Sequence, residues 1–291
     1  MPEPVRYCRR VRDGESTEQP RRSPPLPALT EPDIVARLRA AGCVFAEDEA
    51  RMLVAAAPTP ADLAAMVERR TGGLPLEYVI GWAEFCGLRV AVDEGVFVPR
   101  HRTEFLVDRA MALLRPGAVV LDVCCGTGAI GAALVAAIPR IQLHATDISD
   151  AAVLCARRNL AHLGARVYHG DLYTALPAPL CGAVDVMVAN VPYVPSADVE
   201  MLPREARIYE AREALDGGTD GLDVLRRLAA EAVVWLAPSG HLLVETTERQ
   251  AQTAVAIFSH DGLIPHVERS DELEATVIVG TRPAAPTRSA V

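Results

Sequence analysis

The chain contains no lysine; all 29 of its basic residues are arginine. That absence excludes Schiff-base chemistry and the lysine of phosphate-binding loops. Aromatic residues make up only 4% of the 291 positions. Basic residues are also short against acids, which gives a formal net charge of -9 and a pI near 5.3. An acidic protein is a poor clamp for a phosphate backbone, which needs clustered cations, so direct nucleic-acid binding is not expected. The 7 cysteines are odd in number and form no Cys-x-x-Cys pair, so neither a disulfide framework nor a metal site is expected. No apolar run approaches the roughly 18 residues of a membrane span. The N-terminus lacks the continuous apolar stretch of a secretory signal. These absences together describe a cytoplasmic protein in a reducing compartment.

Half of the residues are hydrophobic, enough for one large domain or a medium one with a small companion. Residues 1–30 are rich in Arg, Pro and Ser, and residues 284–291 are similar; both read as disordered tails. Residues 31–71 read as a small helical bundle. Thr30-Glu31-Pro32-Asp33 makes an N-cap with proline in the first turn, and two further helices are expected at 47–57 and from Thr59-Pro60 to Arg70. Residues 72–100 switch to a period near two (Tyr78, Ile80, Phe85, Leu88, Val90, Val92) and read as a hairpin connector. Residues 101–283 then alternate strands and helices, with strands expected at 119–123, 142–147, 166–169, 184–189, 241–245, 263–267 and 275–280. That rhythm implies a doubly wound, Rossmann-like α/β sheet, whose ligands sit at the carboxyl ends of the strands.

Unusual residues fall at those strand ends. The first strand runs into Asp122-Val123-Cys124-Cys125-Gly126-Thr127-Gly128, and Gly126, Gly128 and Gly131 form a Gly-x-Gly-x-x-Gly loop. Such a loop alone serves a dinucleotide or an S-adenosylmethionine equally well. Three carboxylates favour the second. Asp122 repels a pyrophosphate but suits an ammonium; Asp147, followed by Ile148, is placed for ribose hydroxyls; Asp171, followed by Leu172, is placed for an adenine amine. Each also has a plain alternative, as helix cap or turn residue. Cys124 and Cys125 read as small packing residues in the cofactor loop.

The fourth strand leads into Asn190-Val191-Pro192-Tyr193. Asn and Pro populate turns, yet the location also suits a methyl acceptor. An amide nitrogen is a weak nucleophile because its lone pair is delocalised. A site for it must hold its N–H groups: the Asn190 side-chain oxygen accepts one and the Val191 carbonyl the other. Pro192 fixes φ and removes a competing donor. Tyr193 stacks on the planar group. Asn190, Pro192 and Tyr193 are the candidate catalytic residues, and Asn190 also faces the cofactor.

These segments, taken with Leu74 to Gly81, Glu84-Phe85, Val98-Pro99-Arg100, Thr103-Glu104, Ala214 to Gly218 and Asp220-Gly221-Leu222, resemble the HemK/PrmC family of protein-(glutamine-N5) methyltransferases. The resemblance covers roughly residues 31–282. It implies a class I methyltransferase sheet, S-adenosylmethionine as cofactor, and transfer to the glutamine of a Gly-Gly-Gln motif in a peptide-chain release factor, with the N-terminal bundle engaging that partner. The chain departs from the family at Val191, where the tetrad has Pro, and at Cys124, where the loop has its first Gly. It departs again at His101-Arg102, where the family's Pro-Arg-Pro-Glu-Thr-Glu run has Pro-Glu, and at Leu172, where an aromatic is frequent. Two other readings stay open at this point: N-methylation of a small metabolite or nucleobase amine, and a cofactor-binding paralogue that has lost activity.

Overall fold

A computed structural model describes residues 29–284, so both expected tails lie essentially outside the described residues. Three helices come first: α1 (Glu31–Ala40), α2 (Ala46–Ala56) and α3 (Pro60–Thr71). Thr30 and Asp33 cap α1 reciprocally, and Thr59 caps α3 ahead of Pro60. Ile34, Leu38, Ala46, Ala50, Leu53 and Val67 close a small apolar centre among them, to which Val79 of the next element is added.

The connector is a helix followed by a hairpin, which corrects the period-two reading of residues 78 and 80. Tyr78 and Ile80 belong to a five-residue helix, α4 (Leu76–Ile80), ended by Gly81 at φ 83°. The hairpin proper is β1 (Trp82–Phe85) against β2 (Leu88–Ala91). A short 3₁₀ turn, His101–Thr103, then opens α5 (Glu104–Leu113).

The alternating elements are β3 (Val119–Val123), α6 (Ala129–Ala137), β4 (Gln142–Asp147), α7 (Asp150–Leu160), β5 (Arg166–His169), β6 (Val184–Ala189), α8 (Arg204–Tyr209), α9 (Asp223–Trp235), β7 (Leu236–Thr246), α10 (Ala251–His260), β8 (Ile264–Ser270) and β9 (Ala275–Thr281). The sheet order is β5-β4-β3-β6-β7-β9-β8; β9 runs antiparallel to both of its neighbours, and the other pairings are parallel. Its central strands β3 and β6 are buried on both faces, which is why they read as apolar runs. Val120, Val186, Val188 and Leu243 pack under α5, α6 and α7. Leu121, Val123, Met187, Leu242 and Val244 pack under α9 and α10. The order reverses between β3 and β6, so the loops after β3, β4 and β6 open onto one crevice.

Candidate active site

A cavity of about 660 Å³ occupies that crevice. The loop after β3 (Cys124 to Thr127), Asp147, and the exit of β6 (Asn190 to Tyr193) share its wall. Cavities of this size hold drug-sized ligands. A neighbouring hollow of about 110 Å³ is lined by Ile148, Asp171, Leu172 and Arg227, and it shares Cys124, Asp147 and Pro192 with the large cavity.

The loop is built by its glycines. Gly126 and Gly128 have φ of 54° and 77°, a region that favours residues without Cβ. A Cβ at Gly126 would meet nothing, so the backbone there faces open space for a ligand, whereas a Cβ at Gly128 would stand 2.9 Å from Leu160. Asp147 holds the loop down: its Oδ2 accepts from Gly126 N at 2.8 Å and its Oδ1 from Ser149 N at 2.9 Å. Burial raises its pKa. Asn159 of α7 supplies a second tie. Its amide donates to the carbonyls of Thr127 and Ala91, joining the loop to the hairpin. Nothing in the local sequence pattern marked Asn159.

Cys124 adopts φ 56°, where an L-residue is strained by roughly 1–2 kcal/mol. Burial, reinforced by Asp147 and Asp122, holds its thiol well above the usual range, and Cys125 is raised in the same way. Neither sulfur is therefore a nucleophile, which agrees with a packing role. Cys124→Gly relieves the strain, partly offset by the greater freedom of the unfolded chain. A net gain of about 0.5–1 kcal/mol is expected, read as a higher denaturation midpoint at unchanged slope. A lower midpoint would mean that the thiol's packing outweighs the strain.

Asp122 lies elsewhere than the sequence suggested. It is fully buried beneath the start of α6 and does not line the cavity. Its Oδ2 accepts from Gly131 N at 3.0 Å, and its Oδ1 has no partner among the described residues. Burial, opposed by the Gly131 bond and aided by Asp147, pushes its pKa to about 7 from 3.8. Between those values the folded state holds a proton that the unfolded chain has released. Stability therefore falls as pH rises through that window. Asp122→Asn should remove this decline, with the two proteins diverging toward pH 7 in melts run from pH 4 upward. Parallel curves would show that the carboxylate ionises freely in the fold.

Asp171 has a partner that the sequence did not suggest. Its carboxylate is engaged by Arg227 at 2.5 Å, on the rim of the small hollow. Ile148 is largely exposed beside it, and Leu172 is buried. Tyr173 does not replace the missing aromatic; it is buried against Trp235 and donates to Leu228 O.

The exit of β6 is held from several sides. Asn190 donates its amide to Thr103 Oγ1 at 3.4 Å, and no hydrogen bond among the described residues uses its Oδ1. Tyr193 donates to Glu245 Oε1 at 3.2 Å and accepts from Arg102. Burial, and then Glu245, push its phenol pKa up. Gln250 donates to the Tyr193 carbonyl at 2.9 Å. Behind the segment, Val194 N bonds Leu215 O and Gly217 N bonds Val194 O. A Cβ on Gly217 would fall 2.6 Å from Pro192 O, and one on Gly221 2.2 Å from Tyr193 O. The glycines of residues 216–221 thus allow a second backbone to press against the tetrad. Arg102, Thr103, Glu245 and Gln250 were not assigned these contacts from the sequence. Thr103 was visible only as part of a shared motif, and Arg102 only as a departure from it.

Sheet order and cavity are those of a doubly wound nucleotide-binding sheet, and the proteins it resembles narrow the class to a class I S-adenosylmethionine-dependent methyltransferase. Residues 88–227 match the methyltransferase small domain family. A methyltransferase structure from Pyrococcus furiosus superimposes over 68% of this chain and 90% of its own, with a TM-score of 0.52 at 16% identity. The sequence is 40% identical to the release factor glutamine methyltransferase of Geobacter sulfurreducens over 228 residues, 77% of this chain and 79% of that one. It is 34% identical to the protein of the same name from Bradyrhizobium diazoefficiens over 274 residues, 86% and 89% of the two chains. The chain belongs to the release factor glutamine methyltransferase family.

The residues present fit the cofactor. A glycine loop with open space at Gly126, and a carboxylate at the end of β4, share one cavity with the tetrad. Among the described residues, no helix is long and apolar enough to cross a membrane, and no His, Cys, Asp or Glu cluster could hold a metal.

Proposed function

We propose that this chain methylates the side-chain amide nitrogen of a glutamine in a protein, and that a peptide-chain release factor is that protein. The observation that carries the reading is the position of Asn190 to Tyr193 on the wall of the same cavity as the cofactor loop and Asp147. S-adenosylmethionine supplies an electrophilic methyl on a sulfonium. In this reading Cys124 to Gly128 cradle its methionine part, Asp147 accepts from its ribose, and Ile148, Asp171 and Leu172 border its adenine.

The chain's own residues would do the rest. Thr103 takes the Asn190 amide hydrogen, which turns Oδ1 toward an incoming N–H. The Val191 carbonyl accepts the second N–H, so replacement of the family's proline leaves the acceptor atom in place. Holding both hydrogens aligns the nitrogen with the methyl and stabilises the positive charge that develops on it. No strong base is needed, since the proton is acidified by the transfer itself. The six free thiols among the described residues fit a cytoplasmic location.

The test is incubation of the enzyme with cofactor and a release factor carrying Gly-Gly-Gln, followed by peptide mass spectrometry. A mass gain of one CH₂ on that glutamine is expected. Methylation confined to other residues, or to small molecules, would overturn the acceptor assignment while leaving the class of enzyme intact.

A further inference from the structure

Two consecutive residues of the 3₁₀ turn after the connector hold opposite ends of the Asn190–Tyr193 segment. Thr103 takes the Asn190 amide, and Arg102 donates to the Tyr193 hydroxyl. Arg102 Nε also donates to Glu245 Oε1 at 3.1 Å, the oxygen that accepts the Tyr193 hydroxyl. Its guanidinium carbon stands 5.6 Å from the centre of the Tyr193 ring, within cation–π range. Residues 102, 193 and 245 close a hydrogen-bonded triangle at one end of the tetrad.

We infer that Arg102 is a positioning residue for the acceptor site, fixing the ring of Tyr193 by clamping its hydroxyl against Glu245. The Glu245 side chain is only 2% exposed, and its Oε2 has no partner among the described residues. A carboxylate taken that far from water needs a cation, and among the described residues Arg102 is the one that reaches it. A phenol bonded on both sides at its hydroxyl can no longer swing about its Cα–Cβ bond, so the ring keeps its place. A planar acceptor then meets a platform whose ordering is already complete before it arrives.

The inference rests on Tyr193 belonging to the acceptor site, but its test reads the ring with no acceptor present. In protein carrying ¹³C-labelled tyrosine, with Tyr193→Phe used to assign the signal, the wild-type side chain should show the Hα–Hβ couplings of one fixed rotamer about Cα–Cβ. Arg102→Met should average those couplings between rotamers, without altering those of the other tyrosines. Tyr193 couplings that do not change on Arg102→Met overturn the inference even if glutamine is methylated. Changed couplings without glutamine methylation would instead remove the acceptor assignment alone. Where turnover is measurable, Arg102→Met should lower kcat roughly ten- to a hundredfold with little change in cofactor affinity. The double variant with Tyr193→Phe should be no slower than the slower single, because both break one contact. Multiplicative losses would mean that Arg102 acts independently of the ring. Arg102→Lys keeps the charge but not the two-pronged contact, so it should recover melting temperature more fully than kcat.

Discussion

Asn190→Ala is expected to reduce methyl transfer by on the order of 10²- to 10³-fold, while cofactor affinity stays near that of the wild type. The side chain sits where β6 ends, and its amide is turned by Thr103 Oγ1 at 3.4 Å. Alanine keeps the backbone path, so the Val191 carbonyl and the clamped Tyr193 remain where they are. What disappears is one acceptor for the N–H of a nucleophile that is weak until both hydrogens are held. The loop after β3 and Asp147, to which the cofactor contacts are assigned in the proposed reading, lie on other strands and are left intact. Asp147→Ala should show the reverse pattern. It removes the group that pins Gly126 N at 2.8 Å, so the loop loosens and cofactor affinity falls first. Isothermal titration with cofactor, beside single-turnover kinetics at saturating cofactor, separates the two effects. Near-normal turnover in Asn190→Ala would sink the acceptor-site argument, since nothing else at the β6 exit offers a side-chain oxygen in that place.

What the sequence disclosed follows from how locally each feature is specified. The strands at 119–123, 142–147, 166–169 and 184–189 were readable to the residue; for β3 and β6 the reason is that strands buried on both faces form short apolar runs, while β4 and β5 were placed by the alternation of elements around them. Helix α4 was misread because five residues give too little length for a helical period, and Tyr78 and Ile80 look β-like. Strand β7 starts five residues before the expected 241, where Pro238, Ser239 and Gly240 resemble a turn. Helix α8 was not foreseen; none of its residues is buried, so it carries no apolar stripe to detect. The site divides in the same way. The glycine loop and the tetrad are contiguous motifs. Their braces lie far away in sequence: 87 residues separate Thr103 from Asn190, 52 separate Tyr193 from Glu245, and 57 separate Tyr193 from Gln250. Only the fold brings those groups together. Asp122 shows the opposite error, a strand-end acid whose chemistry suited a ligand but whose side chain the pleat turned under α6.

Arg70→Ala should destabilise the protein by about 3–5 kcal/mol, the usual consequence of stranding one member of a buried ion pair. Arg70 lies near the end of α3, and its side chain is 7% exposed. It grips Glu49 of α2 with two bonds of 2.6 and 3.0 Å, and no other cation among the described residues pairs with that acid. The third arm of the guanidinium reaches the Leu74 carbonyl at 3.1 Å and Glu205 of α8 at 2.6 Å. Burial opposes the charge on Arg70, but the bonds from Glu49 and Glu205 outweigh it and hold the pKa up. Glu205→Gln should have a much smaller effect, because its carboxylate is 45% exposed and water replaces the lost partner. Glu205 also lines the large cavity, so this network ties the N-terminal bundle to the cavity wall. Arg70→Ala should therefore raise KM for the protein acceptor more than for the cofactor, measured at a temperature where the variant is still folded. The double variant Glu49→Gln with Arg70→Met should recover most of the lost stability, since no charge is then left buried alone. Denaturant titration of the four proteins decides the matter: a loss below about 1 kcal/mol in Arg70→Ala would show that water reaches Glu49 and that the pair is a surface contact.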